Sequence, residues 1–182
     1  MTINKRIVIC STRIAFLGLA LVVSACSLIT APPPALTLDA LKNAEYTSDL
    51  PAAKKAKLTN GVYEEQLGLG ASFKLNLRLT DSYALGDLNG DGTADAAVVL
   101  AANTGGSGVF ITLAAVVNEG GKPRHVASAD LGDRTQIKSI AIAGGVIVMD
   151  LVTHTPSDPM CCPTQNETQK FRLQGEQLVK VN

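Results

Sequence analysis

Between Phe73 and Thr80 every second residue is apolar: Phe73, Leu75, Leu77 and Leu79 alternate with Lys74, Asn76 and Arg78. A period of two puts each set on its own face of an extended chain, so this stretch predicts a half-buried antiparallel strand. VYEEQL predicts a strand before it. After it come ADAAVVLAAN, GVFITLAAVVN, RHVASADL, QIKSIAIA, VIVMDLVTH, TQKFRLQ and QLVKV. The connectors NTGGSG, NEGGKP, LGDR, AGG and QGE are rich in hairpin-turn residues. None of these connectors hides a crossover helix, so successive strands pair antiparallel. The expectation is a mainly β, single antiparallel meander domain, either folded over as a sandwich or closed like a barrel; periodicity does not choose between them. Only the start of the domain breaks the pattern. Thr37 predicts an N-cap for a short helix over LDALKNAEY, with Leu38, Leu41 and Tyr46 at helical spacing. DLPAAKKAKLTNG reads as loop, with Asn60-Gly61 a turn.

The longest apolar run lies elsewhere. Ile14 to Val23, IAFLGLALVV, follows Lys5, Arg6 and Arg13 and precedes the small residues Ser24 and Ala25. A basic start, a short apolar centre and small residues before a cut predict an export signal. The run is shorter than the roughly 20 residues that span a bilayer. Pro32, Pro33 and Pro34 then favour extended polyproline II and uncouple the segment from the rest of the chain. Val23-Ser24-Ala25-Cys26 resembles the lipobox of bacterial lipoproteins. The resemblance implies that Cys26 becomes the first mature residue and carries several acyl chains. Each buried methylene of those chains contributes about 0.8 kcal/mol to membrane anchoring. Ser27 in the second mature position resembles an outer-membrane address, if the organism is Gram-negative. The expected division is a signal peptide over 1–25, a lipidated Pro-rich tether over 26–36 and a β-rich globular domain over 37–182.

Composition narrows the classes. The chain of 182 residues suits one domain, and 46% of it is hydrophobic, enough for a core. With no Trp and 4% aromatics, that core must be Val, Leu, Ile and Ala. Formal charge is zero, which argues against nucleic-acid binding through a basic face. Without residues 1–25 the chain keeps 13 basic and 16 acidic side chains, a mild imbalance that points to no strongly charged partner.

One stretch carries candidate chemistry. In Asp87-Leu88-Asn89-Gly90-Asp91-Gly92-Thr93-Ala94-Asp95, side-chain oxygens stand at positions one, three, five and nine. Glycine stands at six, and Thr93 offers a backbone carbonyl at seven. A tight turn points alternate side chains inward, and Ca²⁺ takes about six to eight oxygens. The pattern matches the first part of an EF-hand loop. It departs at position twelve, where Val98 replaces the bidentate Glu, and the chain continues as strand rather than helix. It resembles instead the D-x-N-x-D-G-x-x-D loops of FG-GAP and integrin-type repeats. That resemblance implies the ligands Asp87, Asn89, Asp91, the Thr93 carbonyl and Asp95, but not a propeller. A solvated hairpin turn is the simpler alternative for the same residues. A structural Ca²⁺ that pins the hairpin is the expected role.

Cys161 and Cys162 lie in THTPSDPMCCPTQ. Export would place them in an oxidising compartment. A disulfide between the two, an intermolecular bridge, free thiols, and thiolate ligation with His154 are the alternatives. Zinc wants four ligands, or three and a water, and this set is one short. Cysteine–histidine catalysis with His154 or His125 is chemically conceivable, but a disulfide would abolish it. Tyr83 to Gln165 is also similar to bacterial exported or lipoprotein domains that pair GDLNGDG-x-x-DAAVVL with a GGSG turn, an LGDR turn and a DPMCCPTQ ending; they bring no established activity. The expectation is a non-enzymatic, lipid-anchored envelope protein that binds a protein or glycan partner or serves structurally. The alternative is an envelope hydrolase or thiol-redox protein using His154 and the cysteine pair.

Overall fold

The alternation around Leu75 appears directly as burial. In the strand Lys74–Gly86, Leu75, Leu77 and Leu79 are buried while Lys74 and Arg78 are exposed. The structure, a computed structural model, describes residues 33–50, 54–68 and 74–182. The export signal, Cys26, most of the tether and Phe73 lie outside those residues. The described chain is mainly β and antiparallel, with one short helix. Its elements are α1 (Leu38–Lys42), β1 (Glu45–Thr47), β2 (Lys55–Lys57), β3 (Val62–Gln66), β4 (Lys74–Gly86), β5 (Asp95–Asn103), β6 (Phe110–Glu119), β7 (Lys122–Asp133), β8 (Gln136–Ala143), β9 (Val146–Thr153), β10 (Gln165–Gln174) and β11 (Gln177–Val181).

Strands β3 to β7 form a five-stranded sheet in chain order, and β8 to β11 a four-stranded one. Every neighbour pair is antiparallel, as short turns between consecutive strands require. The two sheets face each other across one apolar layer. The five-stranded sheet gives it Ala97, Val99, Ala101, Ile111 and Leu113; the four-stranded sheet gives it Ile147, Met149, Leu151 and Phe171. A second layer covers the other face of the five-stranded sheet. There Leu75, Leu77, Val98, Leu100 and Val116 meet Leu36, Leu41, Tyr46 and Leu58 from the N-terminal segment. Strand β5 is therefore buried on both faces, its even residues in one layer and its odd residues in the other. That is why DAAVVLAA reads as a continuous apolar run rather than an alternation.

The N-terminal segment departs from the expectation. The Thr37 hydroxyl does cap a helix, accepting from the Ala40 amide at 3.1 Å, but the helix ends at Lys42. Tyr46 belongs to β1, and its hydroxyl donates to the Leu41 carbonyl at 3.0 Å. Lys55–Lys57, expected as loop, pairs with β1. Both strands have three residues, and each is held by one buried side chain, Tyr46 or Ala56, rather than by its own propensity. Packing also begins before residue 37, since Leu36 is buried and the Pro34 carbonyl accepts from Asn118 at 2.9 Å. Asn60 and Gly61 have φ of 51° and 86°, and Thr59 and Val62 exchange both backbone bonds across them, a two-residue hairpin turn. Among the described residues no helix is long and apolar enough to cross a membrane.

Candidate functional site

Gly86 and Asp95 are partners in the β4–β5 ladder, so the whole Asp-rich stretch is the loop of one hairpin. Its polar side chains fold the backbone locally. The Asp87 carboxylate accepts from the Gly90 amide at 2.7 Å and from the Gly92 amide at 2.9 Å. Asn89 Oδ1 accepts from the Asp91 amide at 3.0 Å. Asp91 Oδ1 accepts from the Thr93 amide at 2.7 Å, and its Oδ2 accepts from Asn89 Nδ2 at 2.9 Å. Gly90 and Gly92 hold φ of 82° and 81°, the left-handed region that glycine adopts at little steric cost. The bonds from Asn89 and from the Thr93 amide keep Asp91 ionised below the usual carboxylate range.

Asp95 plays a different part. It is fully buried at the first position of β5. One oxygen accepts from the Leu88 amide at 3.0 Å, and the other accepts from the Asn118 amide on β6 at 2.9 Å. Leu88 itself drops into the layer between the sheets. Asn118 extends the network: its side chain donates to the Ala94 and Pro34 carbonyls and accepts from the Gly121 amide at 2.7 Å. Gly121 has φ of +88°, and a Cβ there would meet Pro34 at 3.0 Å, so glycine is required twice over. Asp95 and Asn118 thus lash the loop, two hairpins and the N-terminal segment together. The sequence marked Asp95 only as a possible ligand, and Asn118 only as a turn residue.

The loop therefore brings Asp87, Asn89 and Asp91 to its exposed side and turns Asp95 inward. Among the described residues no three His, Cys, Asp or Glu side chains stand gathered as a ready metal cluster. The donor set of the loop is nevertheless hard oxygen on a backbone already bent, which is the chemistry that suits Ca²⁺. Beside the loop lies a cleft of about 440 Å³ walled by Asp87, Asn89, Ile142, Gly145 and Arg172. Arg172 has no ion-pair partner among the described residues.

The cysteine segment lies in the β9–β10 connection. The Sγ atoms of Cys161 and Cys162 are 2.21 Å apart, bonded as a vicinal disulfide, and both residues are exposed. Asp158 closes this loop. It accepts from the Thr155 and Thr164 amides, each at 2.9 Å, and from the Thr164 hydroxyl at 2.9 Å. Those bonds, led by the Thr155 amide, bring its pKa down to about 2. Arg134 reaches over from the β7–β8 turn and donates to the Met160 carbonyl at 2.7 Å. His154 is half-buried and its Nε2 has no partner among the described residues. His154, Cys161 and Cys162 are not gathered as metal ligands, and the bonded sulfurs leave no thiolate nucleophile.

His125 is a strand residue on β7, as expected, but a heavily engaged one. Its Nδ1 accepts from the Thr47 amide at 3.0 Å, and its Nε2 lies 3.0 Å from both the Ala127 carbonyl and the Ser128 hydroxyl. The acceptor at Nδ1 fixes the proton on Nε2. Burial lowers its pKa, so the ring is neutral. Comparison of the chain with protein-family models, with curated proteins and with solved structures returns no match.

Proposed function

We propose that this chain is a non-enzymatic domain of the cell envelope, tethered to the membrane by lipid on Cys26, in which the β4–β5 loop takes Ca²⁺. The observation that carries the ion is the division of labour in the loop. Asn89 and Asp91 are exposed and Asp87 half-buried oxygen donors held in place by backbone amides, while Asp95 frames the loop from inside. In this reading Asp87, Asn89, Asp91 and the Thr93 carbonyl hold the ion, and the bound cation relieves the repulsion between two neighbouring carboxylates. Asp95 keeps both its amide partners and serves the loop's frame. The ion's part is structural: it fixes the hairpin entering β5, and with it the wall of the cleft beside Arg172, where a protein or glycan partner of the envelope meets the domain. Calorimetric titration of the full chain with Ca²⁺, beside Asp91→Ala, tests the ion. Mass spectrometry of the membrane fraction from expressing cells, beside Cys26→Ser, tests the anchor; acyl mass lost in the variant supports it, and an unmodified wild-type chain refutes it.

A second reading, thiol–disulfide exchange, rests on the exposure of the Cys161–Cys162 pair. Reduction by a dithiol, followed by reoxidation of this pair as a substrate disulfide is reduced, would establish it. Inert sulfurs under those conditions would leave the binding reading alone.

A further inference from the structure

Among the described residues the cover over the outer face of the five-stranded sheet is incomplete. The helix and the β1–β2 hairpin cover Val98 and Val116, but toward the β5–β6 loop the face opens into a cavity of about 730 Å³. Its floor is apolar, with Leu77 from β4 and Leu100 from β5. Leu50 and Phe110 stand at it with unusually large exposure for their type, 38% and 42%. The size lies within the range of small-molecule sites, which combine an apolar lining with a few placed polar groups. Leu100 is five residues along β5 from Asp95, about 17 Å at strand rise, so this cavity is separate from the Asp-rich loop.

Its charge has one sign. Among the described residues the lining holds Asp49, Asp130 and Glu176, and neither Lys nor Arg. Two basic groups beside these acids are themselves engaged. Lys54 pairs with Asp49 at 3.1 Å, and Arg124 lies 3.5 Å from Glu176 while binding Glu119 more closely. His125 in the wall has both ring nitrogens occupied and is neutral. Asp130 is the carboxylate left over. One of its oxygens accepts from the Gly132 amide at 2.9 Å, and the other has no partner among the described residues. Thr112 faces Asp130 across the β6–β7 ladder and adds a hydroxyl to the same wall.

We propose that this cavity binds a small organic cation with an apolar body, its ammonium on Asp130 and its body against Leu77, Leu100 and Phe110. A charged carboxylate at the rim rewards a cation and penalises an anion of the same shape, so the selectivity is built from attraction and repulsion together. The site is independent of the Ca²⁺ reading and is tested in EDTA. Phenylbutylamine and phenylbutyrate share one apolar body and differ in the sign of charge. Calorimetric titration of the full chain at neutral pH should show the amine binding at least about tenfold tighter, a gap of about 1.4 kcal/mol. Asp130→Asn keeps the acceptor for Gly132 and should remove most of that gap. Phe110→Ser should weaken the amine without changing the sign preference. No saturable amine binding at millimolar concentration, equal binding of amine and acid, or a preference that survives in Asp130→Asn overturns the proposal.

Discussion

Replacing Asp95 by Ala isolates what the buried carboxylate contributes. The residue is fully buried and accepts two backbone amides, Leu88 at 3.0 Å and Asn118 at 2.9 Å, on opposite sides of the β5 entry. Each hydrogen bond to a charged group is worth about 1.5–3 kcal/mol, and an amide left unpaired in the interior adds its own desolvation cost. The variant should therefore lose about 3–5 kcal/mol. For a domain of this size each kcal/mol moves the melting temperature by about 2–4 °C, so a fall near 10 °C is expected. Asp95→Asn keeps one acceptor but presents an NH₂ to the second amide, and should fall between wild type and Ala. Melts are run by circular dichroism in EDTA, so that only protein bonds are counted. Asp91→Ala, an exposed change in the same loop, should leave the EDTA melt within about 2 °C of wild type. If Asp95→Ala melts within about 3 °C of wild type, Asp95 is not the frame of the loop and the division between Asp95 and Asp91 is wrong.

Protonating His125 breaks its acceptance from the Thr47 amide. Because burial lowers its pKa below the ordinary 6.5, the unfolded chain binds the proton first. Stability should therefore be fully present above pH 6.5 and fall as pH drops toward the folded value, an acid-side slope that His125→Gln removes in pH-dependent melts. Asp158, with a pKa of about 2 against an ordinary 3.8, contributes order that is present above 3.8 and lost as pH falls through about 2. Protection of the Thr155 and Thr164 amides against hydrogen exchange, relative to the intrinsic rate at each pH, should fall over that window and be lost at all pH in Asp158→Ala. Gly86→Ala places a Cβ 2.7–2.8 Å from the Ile142 side chain, so overpacking should cost about 1–3 kcal/mol in denaturant melts, partly recovered in Gly86→Ala/Ile142→Val.

Strands β4 to β11 were legible as apolar segments bounded by turn residues, alternating in β4 as far as Thr80 and continuous in β5, while the Asp81–Gly86 end of β4 was not read. The helix cap at Thr37 and the turn at Asn60-Gly61 were legible for the same local reasons. What local pattern could not give was pairing at a distance. Lys55–Lys57 is a strand only because Ala56 and Tyr46 are buried together, and KAK alone has little strand preference. Thr47 and His125 are 78 residues apart, so neither announces the other. Periodicity left sandwich and barrel open, and the double burial of β5 decided for facing layers. In the candidate site, spacing grouped Asp87, Asn89, Asp91, the Thr93 carbonyl and Asp95 around one ion; the structure places Asp95 inside, accepting two backbone amides, and the others on the hairpin loop. The place of Asp95 at the head of a fully apolar strand was the available sign that its carboxylate would be used inside. Asp130 gave no sign at all, since its importance comes from which neighbouring charges are already paired.

The measurement that bears most directly on the loop is Ca²⁺ calorimetry on the full chain, paired with melting in Ca²⁺ and in EDTA. A structural ion site predicts saturable binding with a Kd of about 10⁻⁴–10⁻³ M, a higher melting temperature in Ca²⁺, and the loss of both in Asp91→Ala. No heat and no stabilisation at millimolar Ca²⁺ would contradict it, and the Asp-rich stretch would stand as a hairpin turn whose carboxylates serve only their own backbone.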